Sequence, residues 1–310
     1  MLYIDKSKNR KEGVQVTKDY LQTCCYGTDG RYHEIRYDNR DAGSTHTFCS
    51  HNNREYRKKM INILLANQHN LCCYCLRKLK TAQREEDSDE VITLEHIIPR
   101  GFTSGNSKVP YYQSAPELSP EEVVMTDEYE SISHDQSRPG LPHKVAYNNL
   151  VVSCNGTFPY VRNQHEGKSK VCCNEFRQEE DAYPVYFLQH IFEYIDYTSD
   201  GDIHGKCDLD PNIQSKIEDV INHTNLQYDS LKQIRRLWFI LSHVPKEEIY
   251  SCHTISQRDD LFARELYKSD FFDSNTSFLH DKFKLDDYWN TFMLYDIFYD
   301  LFNGKVPAWN

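Results

Sequence analysis

The sequence predicts an α+β protein in which a small β-containing core lies within a mostly helical chain. Two segments have the β-branched composition of strands, DEVITLEHIIP at 89–99 and NNLVVSC at 148–154. From about residue 183 onward, apolar residues recur instead at the spacing of helices. The first 50 residues read as short β-like pieces separated by turns, and they contribute least to the prediction.

Four segments outside the predicted strands have the periodicity of amphipathic helices. The first, NNREYRKKMINILLANQHN, has an apolar face of Tyr56, Met60, Ile63 and Leu64. The second, DLDPNIQSKIEDVINH, places Asp210 at the N-cap and Pro211 at the first helical position. The third is YDSLKQIRRLWFILSHVP, which ends at a proline. The fourth, DDYWNTFMLYDIFYDLFNG, has an apolar face of Trp289, Phe292, Met293, Ile297 and Leu301.

The composition argues against a membrane protein and against a secreted disulfide framework. No run of the 310 residues approaches the ~20 apolar residues that a membrane span requires, and MLYIDKSKNRKE lacks the apolar part of a signal peptide. The eleven cysteines are an odd number, which does not suit complete disulfide pairing. We therefore expect a cytoplasmic protein without membrane contact, in which clustered cysteines bind metal or pack in the core.

Charge is distributed unevenly along the chain. Residues 54–84 are almost entirely basic among their charged positions, whereas residues 85–130 and 259–300 are rich in acids. The net charge of −11 excludes a protein that coats nucleic acid over its whole surface. It permits a protein that contacts nucleic acid along one basic stripe.

The cysteine spacing predicts a metal site. Cys72 and Cys75 form a C-x-x-C turn, whose two sulfurs can reach one tetrahedral ion, whereas the cysteine between them would give only a C-x-C pair. A second pair consists of Cys154 with either Cys172 or Cys173, across an insertion of about 17 residues. The two pairs together favour zinc over simple burial of the thiols.

Glu95 and His96 lie between the two cysteine pairs, at the end of a predicted strand. Adjacent side chains on a regular strand point to opposite faces, but a twist at the strand end can direct a carboxylate to a divalent cation and an imidazole to a water. A base and a hard cation such as Mg²⁺ are what phosphodiester hydrolysis requires. Histidine is neutral near cytosolic pH and suits the base, and an asparagine oxygen can complete the shell of the cation.

The order of these motifs resembles the HNH endonucleases of the ββα-metal type, in their zinc-stabilised branch. The residues that carry the resemblance are C-x-x-C, E-H-I-x-P, N-N-L-x-x-S-C and C-N-x-x-R. The resemblance implies a small ββα-metal core, with a structural Zn²⁺ held by Cys72, Cys75, Cys154 and Cys173. Cys173 is preferred over Cys172 because Asn174 then follows the cysteine as in the family.

The same resemblance implies the catalytic roles. Glu95 matches the acidic ligand of a catalytic Mg²⁺ or Mn²⁺, and His96 matches the general base. Asn149 matches the asparagine that holds the loop around the histidine, and Asn174 matches the last metal ligand. Three basic residues are expected to contact nucleic acid: Arg177, Arg100 and Lys78.

Segments beyond these motifs resemble the HNH nuclease subunit of Septu-type anti-phage defence systems, which also accompanies some retrons. The resemblance implies an antiviral endonuclease that hydrolyses nucleic acid, and DNA is expected as the substrate rather than RNA. It also implies an ABC-type ATPase as partner, with a retron nucleic acid and a reverse transcriptase as further partners. The predicted organisation is an N-terminal extension (1–53), a nuclease core (54–182) with insertions at 101–143 and 155–170, and a helical, partner-binding region (183–310).

Two other functions compete with the nuclease. The first is a zinc-stabilised module that binds nucleic acid or protein without catalysis, which would not need the whole set of Glu95, His96, Asn149 and Asn174. The second is a RING-like adaptor, which requires about eight ligands at short regular spacings that the sequence lacks.

Overall fold

The computed structural model describes residues 1–25, 54–79, 92–97, 146–156, 171–177, 184–185, 188–269 and 295–305. These residues form helices and two small antiparallel sheets, so the predicted α+β class is confirmed. Arg100 and most of the two predicted insertions lie outside the described residues, as do Trp289, Phe292 and Met293. No helix in the described part of the chain is long and apolar enough to cross a membrane.

The first sheet pairs the two strands that the sequence predicts. β1 (Ile92–His96) runs antiparallel to β2 (Leu150–Cys154), and a 3₁₀ turn at Tyr147–Asn149 leads directly into β2. The register places His96 opposite Leu150, at the end of the ladder. The amide of Ile97 then donates to the carbonyl of Asn149 at 2.9 Å, which closes the base of the loop between the strands.

The helix predicted before the C-x-x-C turn is confirmed as α2 (Arg54–Asn67), and its apolar face is buried. Gln68 follows it and forms two hydrogen bonds with the main chain of Val152, each of 2.8 Å. These bonds satisfy both polar groups of a buried strand residue. They also fix the end of α2 to the middle of β2.

The N-terminal segment differs from its prediction. Residues 10–25 form a helix, α1 (Arg10–Cys25), rather than short β-like pieces. Val14, Thr17 and Tyr20 recur every three residues and are buried on one face. Because valine, threonine and tyrosine are also typical of strands, composition favoured the wrong element, and the spacing was the better signal.

Helix α1 packs against the 3₁₀ turn that carries Asn149. The backbone of Gly13 lies so close to Tyr147 that a Cβ at this position would be 2.1 Å from the aromatic ring. The amide of Tyr147 donates to Thr17 Oγ1 at 3.3 Å, and its hydroxyl donates to the carbonyl of Lys6 at 3.1 Å. The segment at residues 1–20 therefore contributes to the core around the turn that carries Asn149.

The C-terminal half is mainly helical, as predicted, but it also contains a small hairpin. β3 (Ile195–Tyr197) pairs antiparallel with β4 (Ile203–Gly205). The helices of this half, in chain order, are α3 (Cys173–Arg177), α4 (Ile191–Tyr194), α5 (Pro211–His223), α6 (Asp229–Leu241), α7 (Lys246–Ser251), α8 (Ile255–Lys268) and α9 (Tyr295–Phe302).

The start of α5 is the one predicted from its capping residues. The Asp210 carboxylate accepts from the amides of Asn212 and Ile213, at 2.9 and 3.4 Å, and Pro211 occupies the first turn. Further along the chain, Trp238 of α6 stacks on Phe298 of α9 with ring centroids 5.9 Å apart. Of the predicted apolar face of the last helix, Ile297 is buried and Leu301 packs against the core, and the other three residues lie outside the described part of the chain.

Candidate metal centre and neighbouring acidic site

The C-x-x-C segment forms a tight turn. Leu71 and Lys78 form an antiparallel bridge, and within it the amide of Cys72 donates to the carbonyl of Arg77 at 2.8 Å. Leu76 closes the turn by donating to the carbonyl of Cys72 at 3.1 Å, with a φ of 65° that places it in the left-handed region. This conformation directs the sulfurs of Cys72 and Cys75 to the same side.

The other two sulfurs come from separate elements. Cys154 ends β2, and Cys173 begins α3 with a φ of 56°. The amide of Cys173 donates to the carbonyl of Thr224, at the end of α5, at 2.8 Å. Cys172 lies beside the group with its sulfur 3.7 Å from the carbonyl of Gly156. The geometry therefore groups Cys173, the preferred fourth ligand, with the other three cysteines.

The four sulfurs have the spacing of a tetrahedral metal site. Cys72 Sγ is 3.9 Å from Cys173 Sγ, Cys75 Sγ is 3.7 Å from Cys154 Sγ, and all four lie within 4.8 Å of one another. Sulfurs bound to one tetrahedral Zn²⁺ at ~2.3 Å would be about 3.8 Å apart. The four cysteines could thus hold a metal ion such as zinc. Cys75 is partly buried, and the other three are buried.

The electrostatics of the cluster also fit a cation. Hydrogen bonds from Cys172 and Cys173 lower the pKa of Cys154 to about 5. The amide of Cys154 donates to Cys72 Sγ at 3.3 Å, a bond that favours a thiolate. Burial instead raises the pKa of Cys173 and of Cys75 well above the ordinary value. The protein therefore stabilises some of the negative charge, and a divalent cation would allow all four sulfurs to ionise.

Glu95 lies in a buried polar cluster next to the C-x-x-C turn. Its Oε1 accepts from the hydroxyl of Tyr74 at 3.1 Å and forms an ion pair with Arg177 Nη1. Both charged side chains are almost fully buried. Tyr74 lies inside the C-x-x-C turn, so the turn that presents two cysteines also holds the carboxylate of Glu95. Among the described residues, no donor contacts Glu95 Oε2.

Arg177, which the resemblance implied as a phosphate contact, is buried against the end of β1. Its side chain is 2% exposed and binds the end of β1. Nη1 also donates to the carbonyl of His96 at 2.8 Å, and Nη2 donates to that of Ile97 at 3.3 Å. The guanidinium is thus a buried partner of Glu95 and of the strand end. Sequence patterns alone could not indicate this burial, because an arginine at the end of a short helix is equally consistent with a surface contact.

His96 and Asn149 are both buried and lie at the same end of the first sheet. His96 is the last residue of β1 and directly follows Glu95. The polypeptide leaves β1 at Ile97, which is bonded to Asn149. The structure therefore brings together these predicted active-site residues at one strand end.

The remaining predicted site residues occupy more peripheral positions. Asn174 is half-buried in the first turn of α3, three residues before Arg177 and therefore on the same helix face, which contacts β1. Lys78 is half-buried, and its main chain forms the antiparallel bridge to Leu71 beside the C-x-x-C turn. Arg100 lies outside the described residues.

Lys6 is a site neighbour that the sequence analysis missed. Its Nζ donates to the carbonyl of Tyr147 at 3.2 Å and to that of Leu150, on either side of Asn149. It also lies 4.5 Å from the centroid of the Tyr147 ring. Burial lowers the pKa of Lys6 to about 7, and the thiol of Cys73 opposes this shift. No motif could have identified Lys6, because the contact spans more than 140 residues of sequence.

Comparisons with known proteins add no family assignment. No protein-family model matches this chain, and no curated protein is significantly similar to it. The resemblance drawn from the sequence motifs therefore stays a prediction.

We expect Arg177→Met to lower the free energy of unfolding by about 3–5 kcal/mol, because it leaves the buried Glu95 carboxylate without its cation. Urea unfolding followed by circular dichroism would measure this. Arg264→Met is the matched control: Arg264 pairs with Glu248 at 2.8 Å on the surface, and its loss should change the free energy of unfolding far less than the loss of Arg177.

The double variant Glu95→Gln/Arg177→Met should recover part of the loss, since neither charge is then buried alone. If Arg177→Met costs no more than Arg264→Met, the buried pair does not contribute to the stability of the fold.

Proposed function

We propose that this protein is a metal-dependent endonuclease of the HNH type, which hydrolyses phosphodiester bonds. The observation that carries the proposal is the convergence of Glu95 and His96 with Asn149 at one strand end. An antiparallel β1–β2 pair followed by α3 supports it, since this is the element order that the resemblance implies. The nearby cysteine cluster supports it further, because the zinc-stabilised branch requires four thiolates there.

In this proposal His96 accepts the proton of the attacking water. A buried imidazole at a strand end is held in a fixed direction, and histidine is the side chain that most often serves as a general base. A Mg²⁺ or Mn²⁺ ion would supply stabilisation of the negative charge that gathers on the phosphate. Glu95 would bind this ion through Oε2 while Arg177 and Tyr74 hold Oε1, and Asn174 would add a neutral oxygen.

Three residues near this site are proposed to position it rather than to take part in the reaction. Arg177 would position Glu95 and the end of β1 rather than contact phosphate, because its donors bind Oε1 and two carbonyls. Asn149 would keep the loop closed around His96 through its main chain. Lys6 would in turn hold the turn that carries Asn149. These three residues are positioning residues in the proposal.

Binding of nucleic acid is proposed along the basic face of α2. Lys58 and Lys59 are exposed on this helix, and Arg57 donates to the carbonyl of Ile92 on β1 at 2.8 Å. This hydrogen bond connects the basic face of α2 to the strand that carries His96. DNA is the proposed substrate, and binding should weaken steeply with salt because phosphate neutralisation supplies most of such affinity.

The cluster of four cysteines is proposed to hold one structural zinc per chain. Elemental analysis of chelator-washed protein should find one zinc, and Cys154→Ser should lose it together with several kcal/mol of stability. Cys252→Ser is the matched control, because Cys252 lies outside the cluster and should change neither quantity. Substoichiometric zinc in a protein of full thermal stability would refute the zinc assignment.

Replacement of His96 by alanine should reduce cleavage of plasmid DNA by ~10²-fold or more, because the reaction loses its base. The zinc content and the thermal transition should stay near those of the parent protein. His253→Ala removes an exposed histidine of the same chain and should leave the cleavage rate unchanged. Near-parental cleavage by His96→Ala in excess Mg²⁺ would contradict the assignment.

The same assay separates the nuclease from the alternative of an inactive binding module. A binding module would retain DNA in a filter-binding assay but would cut nothing with either Mg²⁺ or Mn²⁺. A Mg²⁺-dependent activity that His96→Ala abolishes supports the enzyme. Binding without cleavage by the parent protein supports the module.

We further propose that the nuclease acts in an anti-phage defence complex with an ABC-type ATPase, and that the outer surface of the C-terminal helices contacts this partner. A retron nucleic acid and its reverse transcriptase are further proposed components. The helices also pack inward, since the carbonyl of Thr224 binds Cys173. A truncation would therefore damage the core, so surface substitutions are the suitable probe.

Co-purification of the tagged full chain with a co-expressed ABC-type ATPase of a Septu-type system should recover a stoichiometric complex. Tyr250→Asp changes an exposed aromatic residue of the C-terminal helices and should weaken the recovery, whereas Lys58→Asp on α2 should not. Failure of the parent chain to recover the ATPase would remove the partner from the proposal.

A further inference from the structure

Cys172 is a fifth cysteine beside the cluster of four. Its sulfur lies 3.5 Å from the sulfur of Cys173, and both side chains are fully buried. Two sulfurs bound to one tetrahedral zinc would be about 3.8 Å apart. The sulfur of Cys172 therefore already has nearly the spacing of a ligand relative to Cys173, although Cys173 is the residue that groups with the other three cysteines.

The main chain of Cys172 is anchored near the end of β2. Its amide donates to the carbonyl of Gly156 at 3.2 Å, two residues after Cys154. Gly156 has a φ of +73°, and a Cβ there would be 2.0 Å from the carbonyl oxygen of Cys172. Only glycine permits this approach. The contact keeps Cys172 close to the strand end that presents Cys154 to the metal site.

Cys173 is positioned by a different part of the chain. Its amide donates to the carbonyl of Thr224, at the end of α5, at 2.8 Å. Its φ of 56° lies in the left-handed region, which is unfavourable for a residue with a Cβ, so contacts such as this one must hold it there. The two adjacent cysteines are therefore held by β2 and by α5 respectively.

The sulfur of Cys172 makes a weak contact in its present position. It lies 3.7 Å from the carbonyl oxygen of Gly156, and a thiol is a weak donor, so this contact opposes a change of rotamer little. Rotation from one staggered position to the next moves a cysteine sulfur by about 3 Å. This movement is similar in size to the 3.5 Å that separates the sulfur of Cys172 from that of Cys173.

We propose that Cys172 is an alternative fourth ligand of the zinc site and can replace Cys173. The inference rests on the zinc site proposed above. Structural zinc binds four ligands and has no geometric preference from its d electrons, so one of the two sulfurs binds at a time and either one suits the ion. The site would then keep its metal when the contact between Cys173 and α5 opens.

The test is zinc binding by the full-length protein, measured by competition with a chromogenic chelator. Cys173→Ser should keep one zinc per chain, with an affinity within about tenfold of the parent, because a neighbouring thiolate replaces the missing one. Cys172→Ser/Cys173→Ser should bind zinc at least about a thousandfold more weakly than the parent, since three thiolates remain. The matched control is Cys73→Ser/Cys173→Ser, which also lacks two buried cysteines but should bind zinc as tightly as Cys173→Ser.

A spectroscopic measurement distinguishes a replacement thiolate from a water or a serine in the fourth position. In Co²⁺-substituted protein, the intensity of the sulfur-to-metal charge-transfer band increases with the number of bound thiolates. Cys173→Ser should keep the intensity of the parent protein. Cys172→Ser/Cys173→Ser should show about three quarters of it or less, because three of the four sulfurs remain. The lower intensity in Cys173→Ser itself would contradict the proposal.

The outcomes separate this inference from the zinc site and from the nuclease. If the parent protein binds one zinc and Cys173→Ser binds it no more tightly than Cys172→Ser/Cys173→Ser, Cys172 is not an alternative ligand and the zinc site stands. If the parent protein binds no zinc, both zinc proposals are overturned, and the nuclease is judged by the His96→Ala assay. Insoluble Cys173→Ser beside soluble Cys73→Ser would also overturn the inference, because a site that binds zinc through Cys172 retains its stability.

Discussion

The convergence of four sulfurs is the constraint on which the rest of the described core depends. They come from three separate segments: the turn at 72–75, the last residue of β2 and the first residue of α3. Each segment also carries a residue of the candidate active site or a direct neighbour of one. Fixing the sulfurs therefore fixes the three segments relative to one another, which a two-stranded sheet alone could not do.

Tyr74 connects this cluster to the acidic site. It lies between two of the cysteines, and its hydroxyl binds the same oxygen of Glu95 that Arg177 binds. A buried ion pair is weak evidence of net stabilisation, because desolvation offsets much of the attraction. Here the ion pair fixes the orientation of the carboxylate. Tyr74 and Arg177 hold Oε1 of Glu95 from two sides, and this sets the direction of Oε2.

Short sequence patterns predicted most of the described helices and strands of the core. They could not predict contacts between residues far apart in the sequence. The strands followed from β-branched runs, and α5 followed from Asp210 and Pro211. The β3–β4 hairpin was missed because its strands have three residues each, too few for a periodic pattern. The grouping of Cys173 rather than Cys172 came from the family resemblance, since spacing alone left both open. The burial of Arg177 depends on its contact with Glu95, which lies 82 residues earlier in the chain. A single sequence contains no pattern that reveals such a contact.

The closed base of the loop between β1 and β2 has a consequence for how this chain can change during evolution. The polypeptide leaves the sheet at Ile97 and returns at Ala146, and the bond from Ile97 to Asn149 joins the two ends. The entropy of closing a loop grows only with the logarithm of its length, by about 0.6 kcal/mol for each doubling. The loop-closure contribution to stability would therefore change little with insertions or deletions between residues 98 and 145. A homologue of different length in this segment would lose little of the closure that holds the cysteine cluster and the strand end together.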